Sequence, residues 1–574
     1  MKKLIAFVLI ITILGFAFVL KKAEGEINYG GELKSDLSKN KSKTQTQAIY
    51  HFLLSEINRF KGNLVEAVNE ATKASEADPS SSYLHANLAA LYYNTGNINE
   101  AEKHANEAMK LNPQIPQIYY ISGEIFAKSG NISKAEEVYK KIIEIDPSNI
   151  EAYLLLGSIY NGKKNFEESV RIYKKLISVN SNIPAGYYYL GQAYANLDRY
   201  DDAVEAFKKA IEINPQMDSA FYNLANLYNQ KKKFKEAEEF FKKFIELNPA
   251  NDAGIKNLAE IYIEQNLLDK ALEQFLKLKE IYPNDPYNHY KIGAIYFEKK
   301  DFKNALTSFM EALKYNPKDM QTMVYVIMTL EELKEYKKAM EETTKLLEID
   351  PYSVIARVHQ SFIYQSMNLN EKSIEPIDRA LEIEPKNSKL YFYKGLALYK
   401  NEKYNKALDS FKKAIELDPR NADYHFNIAT VYDKLGDTDN TVKELREAIK
   451  INSKYADAYN YLGYFLADKG INLDEAVELV KKALEIEPEN GFFLDSLGWA
   501  YFKKGELTLA KEKLLEAIKF TPNDPIIREH MGDIYIKLNQ KEMAISEWKK
   551  SLEIDNKNQG VKKKLEEIMP PSQK

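Results

Sequence analysis

From Pro215 to Pro249 the apolar residues fall into two short helical patterns separated by a polar break. Ala220, Leu224, Leu227 and Tyr228 recur at helical spacing, and Ala237, Phe241, Phe244 and Ile245 do so again after the break. Each pattern predicts an amphipathic helix with a single apolar stripe. Ala225 and Ala237 put small side chains where the two helices must approach closely. Pro249 cannot continue a helix, so it closes this unit and opens the next.

The unit repeats. Prolines stand 34 residues apart at 79, 113 and 147, and again from 215 through 249, 283, 317, 351 and 385 to 419, with Ser181 and Ser453 filling the gaps. One inserted residue within 456–490 shifts the series to Pro488 and Pro522, and Asn556 holds the last place. That gives fifteen helix pairs over 48–558. A single pair cannot bury its apolar face, so each must stack on its neighbours.

These positions resemble the tetratricopeptide repeat (TPR) pattern W-x2-L-G-x2-Y, A-x3-F, P. Leu156-Gly157 with Tyr160, Leu190-Gly191 with Tyr194, and Ile292-Gly293 with Tyr296 match its first helix. Ala135/Tyr139, Ala203/Phe207, Ala305/Phe309 and Ala407/Phe411 match its second. The resemblance implies an all-α fold, a right-handed superhelical solenoid of about 15 helix-turn-helix repeats, and a role in binding other proteins. The units 320–387 depart from the pattern, with Ile327, Thr343, Ser361, Ser373 and Ile377 where small and aromatic residues alternate elsewhere. They read either as a bend or as drift compensated by packing. In the last block, LGYFLAD (462–468) and LDSLGWAYF (494–502) are similar to the C-terminal repeats of bacterial cell-envelope TPR proteins. Some of those are lipoprotein adaptors of a periplasmic carboxyl-terminal processing protease. The cysteine that would carry the lipid is absent here.

Outside the array, Met1-Lys2-Lys3 precedes seventeen uncharged residues, Leu4 to Leu20, and then Lys21-Lys22. Residues 1–22 therefore read as an export signal or an N-terminal membrane anchor. Residues 23–47 are polar and lack apolar periodicity, as expected of a flexible linker. Residues 559–574 hold a short amphipathic stretch, Val561, Leu565 and Ile568, suited to capping the last repeat. The expected location is the cell envelope on the periplasmic side, either membrane-anchored or secreted.

Composition removes several chemistries. There is no cysteine, which excludes disulfides and thiol catalysis. The 80 basic and 84 acidic residues nearly cancel, and nothing points to nucleic acid. The seven histidines include no pair three or four apart, so no metal site is expected on a helix face. Gly157–Lys164 imitates a phosphate loop but has Lys164 where Ser or Thr must hold magnesium. No cofactor and no catalytic residues are expected.

What remains is the concave groove that the resemblance implies. Carried over, its lining positions fall on Tyr188, Gln192, Tyr222, Asn223, Asn226, Asn229, Lys256 and Asn257 in the middle repeats. Side-chain amides both donate and accept, which suits an extended peptide backbone. Val324, Met328, Val358, Phe362, Phe392, Tyr399, Tyr464 and Trp499 form a more apolar lining further on. Trp499 and Tyr464 are expected together on the groove as exposed anchors, and Trp548 inside the core. The expected partners are proteins or extended peptide segments, such as an envelope protease or an assembly complex. The alternative is a structural or secretion component that works through self-association.

Overall fold

Local signals fix the same helix pair again and again. In the unit that begins at Pro184, a first helix, Pro184–Asn196, turns into a second, Tyr200–Ile213. First helices are commonly capped by the residue just before them: Asn149 accepts from Ala152 N, Ser353 from Ala356 N, and Asp524 from Ile526 N and Ile527 N. Such caps contribute about 1 kcal/mol each. The turn between the two helices needs one left-handed residue. Gly130 supplies it at no steric cost, whereas Lys300 (φ 59°) and Glu402 (φ 57°) adopt it under strain.

The computed structural model describes residues 35–568, and among these it holds thirty-one α-helices, a single 3-10 turn and no strand. The chain divides into two compact units, residues 1–267 and 268–574. The described part of the first runs from the helix Ser35–Phe60 to Asp252–Glu264, and that of the second from Leu268–Ile281 to Gln559–Ile568. Within each unit a first helix packs on its own second helix and on the second helix of the preceding repeat. First helices of successive repeats also touch directly, most extensively Ala456–Lys469 with Gly491–Lys504, while successive second helices share no comparable contact. First helices therefore form the inner face of each stack.

The core of a repeat is a small residue on the first helix under a ring on the second. A Cβ on Gly191 would lie 2.8 Å from the Phe207 ring, and one on Gly157 2.4 Å from Tyr173. The irregular units keep this volume by exchange. Ile327 is large where Gly stands elsewhere, and its opposite number Thr343 is small; both are fully buried, and Thr343 Oγ1 donates to Ala339 O at 2.7 Å. In the next unit Ser361 Oγ donates to Ser373 O at 2.6 Å, under the buried Ile377. Pro376 cannot donate a backbone bond, and the second helix of that unit opens as a 3-10 turn, Asn370–Ser373, before Ile374–Ile383.

One boundary differs from the sequence reading. Helix Ser35–Phe60 already includes residues 35–47, which read as linker. Once Ala48 and Phe52 pack on the repeat, extending the helix backwards adds one hydrogen bond per residue without a new nucleus, so polar residues suffice. The inserted residue of 456–490 lies in the turn, where Gly470 and Asn472 are both left-handed. The expected signal or anchor, residues 1–22, and the linker residues 23–34 lie outside the described residues.

Candidate binding faces

In the first unit, the inner face carries a ladder of phenols and amides. Tyr188 Oη accepts from Gln192 Nε2 at 2.8 Å and, across the repeat boundary, from Asn223 Nδ2 at 3.2 Å. One repeat on, Tyr222 Oη accepts from Asn257 Nδ2 at 3.2 Å, and Asn257 also donates to Asn226 Oδ1 at 3.2 Å. The structure therefore links six of the eight residues chosen in this region, Asn229 and Lys256 standing outside these bonds. All six are half-buried. Much of their N–H capacity is used within the ladder, since Asn223 also donates to Ser219 O and Asn226 to Tyr222 O. Burial raises the Tyr188 phenol above its ordinary value, which keeps it neutral. Asn229 leaves its amide oxygen buried without a partner.

The residues chosen in the second unit differ in exposure and in what they touch, Tyr393 linking Phe362 to Phe392. Phe362 is exposed and meets Tyr393 edge-on at 5.3 Å. Phe392 stacks on Tyr424 at 4.9 Å and packs on the core around Phe411. Tyr464 is half-buried, and burial with the nearby carboxylates Asp468 and Asp495 pushes its phenol up to about 12.

Trp499 is not a free anchor. Its indole stacks on His530 at 4.2 Å and on Phe502 at 5.0 Å, and Nε1 is buried without a hydrogen-bond partner. No ring contact joins it to Tyr464. Trp548 is 3% exposed, as expected of a core residue, and its Nε1 donates to Glu529 O at 3.2 Å and Asp533 Oδ1 at 3.1 Å.

Beside Trp499 lie a buried pair and a half-buried ion cluster that the sequence reading missed. His530 Nδ1 stands 2.9 Å from Asp495 Oδ1, with both residues buried. Lys564 of the last helix donates to Glu529 at 2.8 Å and to Asp533 at 2.6 Å. Burial, the largest single effect, would lower the His530 imidazolium, but the carboxylates of Asp495, Asp533 and Glu529 together outweigh it and the group is raised. This pair and Glu529–Lys564 are 35 residues apart, as are Tyr188–Asn223 and Tyr222–Asn257. The rule is common to both units: a residue on one first helix meets its neighbour's 35 and 31 positions earlier. A period of 34 predicts that neighbourhood, and side-chain type then selects which bonds form.

A second spacing, 19 residues, joins the two helices of one repeat. It pairs His51 with Glu70 at 2.6 Å, His425 with Glu444 at 2.7 Å, Arg528 with Glu547 at 2.8 Å, and His85 with His104 at 2.9 Å. These three histidines and His104 thus find their short contacts across the two helices of a repeat. Among the described residues, no group of three or more His, Asp or Glu is placed to hold a metal ion. The phosphate-loop imitation is a helix packed on Tyr173 followed by a turn at Lys164, with no strand before it. No described helix is long and apolar enough to cross a membrane.

Family models described as "Tetratricopeptide repeat" match residues 61–122, 150–183, 184–217, 230–292, 287–319, 377–409, 422–455 and 527–558, and one described as "TPR repeat" matches 123–164 and 395–436. Together they cover more than half of the chain, which belongs to the tetratricopeptide-repeat family. A TPR repeat-containing protein of Pseudomonas aeruginosa is 38% identical over 78 residues, 14% of this chain and 13% of that protein. The anaphase-promoting complex subunit CDC16 of Saccharomyces cerevisiae is 33% identical over 104 residues, 17% of this chain and 12% of that one. The chain thus spans a small fraction of the length of these relatives. Among solved structures, yeast Tom70 is 19% identical with a TM-score of 0.38, covering 73% of this chain and 94% of its own. Cut9 with Hcn1, from the anaphase-promoting complex, is 13% identical with a TM-score of 0.38, covering 85% and 96%.

Proposed function

We propose that this protein is a non-enzymatic scaffold of the bacterial cell envelope that holds extended segments of other proteins on the inner face of its first unit. The observation that carries the reading is the cross-repeat ladder Tyr188–Asn223 and Tyr222–Asn257–Asn226. It is uncharged and its side chains are fixed by one another, so a peptide backbone meets preorganised amide acceptors, and the amide donors of Gln192 and Asn226 that the ladder leaves over, at little entropic cost. The apolar run Leu4–Leu20 between Lys3 and Lys21 supports export, with residues 1–22 either removed or kept as an anchor. The adaptor role beside an envelope protease rests on LGYFLAD and LDSLGWAYF.

The test is site-specific photo-crosslinking in the native host. A photo-reactive residue at Gln192 or Asn226 should trap the same partner, and one at Lys243, exposed on the second helix Phe234–Leu247, should not. Equal trapping at all three positions, or trapping at Lys243 alone, overturns the reading. Fractionation checks the location: recovery from the cytosol with Met1 intact would exclude export. A second reading, assembly through self-association, is favoured by the exposed apolar side chains Tyr50, Ile57 and Phe60 on the helix Ser35–Phe60.

A further inference from the structure

The inner face of the first unit is acidic, whereas its second helices are nearly balanced in charge. Between Pro116 and Glu264 the first helices carry Glu124, Glu151, Asp218, Asp252, Glu260 and Glu264 against two cations, Lys128 and Lys256. Both cations are engaged. Lys128, one turn after Glu124, lies instead 4.8 Å from the Tyr93 ring centroid, and Lys256 pairs with Asp252 at 2.7 Å. The second helices from Ile132 to Leu247 carry lysines and arginines almost as often as acids. Glu124 stands at the repeat position of Gln192 and Asn226, with the exposed Ser158 between, so the row that holds the ladder continues uncharged to a carboxylate. Glu124 and Glu151 are both exposed, and among the described residues neither is ion-paired or hydrogen-bonded. They share one neighbour: burial first, and then Glu124 and Glu151, push the Tyr139 phenol up to about 12. The ladder has the same bias. Asn223 and Asn257 spend their N–H groups on Tyr188, Ser219, Tyr222 and Asn226, while their amide oxygens accept nothing from the chain.

We infer that the segment held on this face is basic, with an arginine or lysine received by Glu124 and Glu151 and an uncharged stretch laid along Ser158, Gln192 and Asn226. This rests on the ladder as a peptide-holding face and names the chemistry of what it holds. Guanidinium and ammonium groups donate and never accept, so they suit a face whose surplus is acceptors. Charge-assisted bonds of this kind are roughly twice as strong as neutral ones. Because Glu124 and Glu151 stand unpaired beforehand, no ion pair within the chain has to break. An acidic segment would meet these carboxylates with both cations of the face already engaged.

The test is selection of random linear peptides from a display library on the full-length protein in mild detergent, beside the variant Glu124→Gln/Glu151→Gln. Peptides selected by the wild type should be enriched several-fold in arginine and lysine, and should bind more weakly as salt is raised. The double variant should lose that enrichment and bind the wild-type peptides roughly tenfold more weakly, as loss of charge pairs across an interface does. Its melting temperature should hold, because both side chains are exposed and unpaired. Glu137→Gln, exposed on the second helix Ile132–Ile145, should change neither selection nor affinity. Selected peptides without basic enrichment overturn the proposal while leaving the peptide-holding face intact. So does an enrichment that survives in the double variant, which would place the cation elsewhere. A wild type that selects no peptide overturns the peptide-holding reading and this proposal with it.

Discussion

Two tryptophans separate what a residue's position reveals from what its neighbours decide. Both stand where the repeat pattern defines a face, and the burial of Trp548 follows from that alone. Trp548→Ala should cost about 3–5 kcal/mol in a thermal or denaturant melt, as deletion of a buried aromatic does. Trp499 occupies a lining position, yet His530, one repeat on, stacks on its indole. Trp499→Ala should therefore cost about 1–2 kcal/mol rather than nothing, since it removes a stacked ring as well as apolar contact. A silent Trp499→Ala melt would show that the stack is not maintained in solution.

The histidine pairs give opposite responses to pH. Burial, then the neighbouring His85, holds the His104 imidazole below its ordinary value. Its contribution is complete above the unfolded value of about 6.5 and is lost as pH falls through the folded one. His425 is raised, first by its bond to Glu444, so its contribution is complete below about 6.5 and is lost as pH rises through the folded value. His104→Glu would rebuild at His85 the pair that His425 makes with Glu444. The variant should gain melting temperature relative to wild type as pH is lowered from 7.5 to 5. An unchanged difference across that range would show that the two imidazoles are uncoupled.

At the scale of the element, the helices, their turns and the face each buries were legible in the chain because a period of 34 forces every repeat into the same environment. The compensations were not. Ile327 and Thr343 each break the pattern when read singly, and only their contact shows that one offsets the other. Thr343→Phe should cost about 1–3 kcal/mol by overpacking. Ile327→Ala/Thr343→Phe should recover most of that, because it reproduces the buried pair Ala225 and Phe241. Asn288 is the uncompensated case. It is fully buried at the place of Gly254 and Ala220, and neither amide atom has a partner. Asn288→Ala should stabilise by about 1–2 kcal/mol in a melt, by removing a polar group that lost its water and gained no bond. A destabilised variant would mean that the amide is satisfied in solution.

At the scale of the whole molecule, stability should be a sum over repeats and the interfaces between them. This was legible from the repeat itself, whereas the candidate faces were legible only as positions. Bonds between residues 31 and 35 apart depend on stacking register and on which side chains meet there, so the Tyr188–Asn223 rung and the His530–Asp495 pair emerge only once the repeats are stacked. The additive picture can be cut with a single break. Asn387 caps the helix Ser388–Lys400 by accepting from Lys389 N at 3.0 Å, so the break belongs before it, between Pro385 and Lys386. Each fragment then keeps its caps and all interfaces but one. Both should retain the helical circular dichroism expected for their length and melt cooperatively. The C-terminal piece should melt lower than the same repeats do in the intact chain, because Leu390, 1% exposed in the array, loses the neighbour that covers it. Loss of helicity in both fragments would mean that distant repeats hold one another up through a single shared core, and the nearest-neighbour account would be wrong.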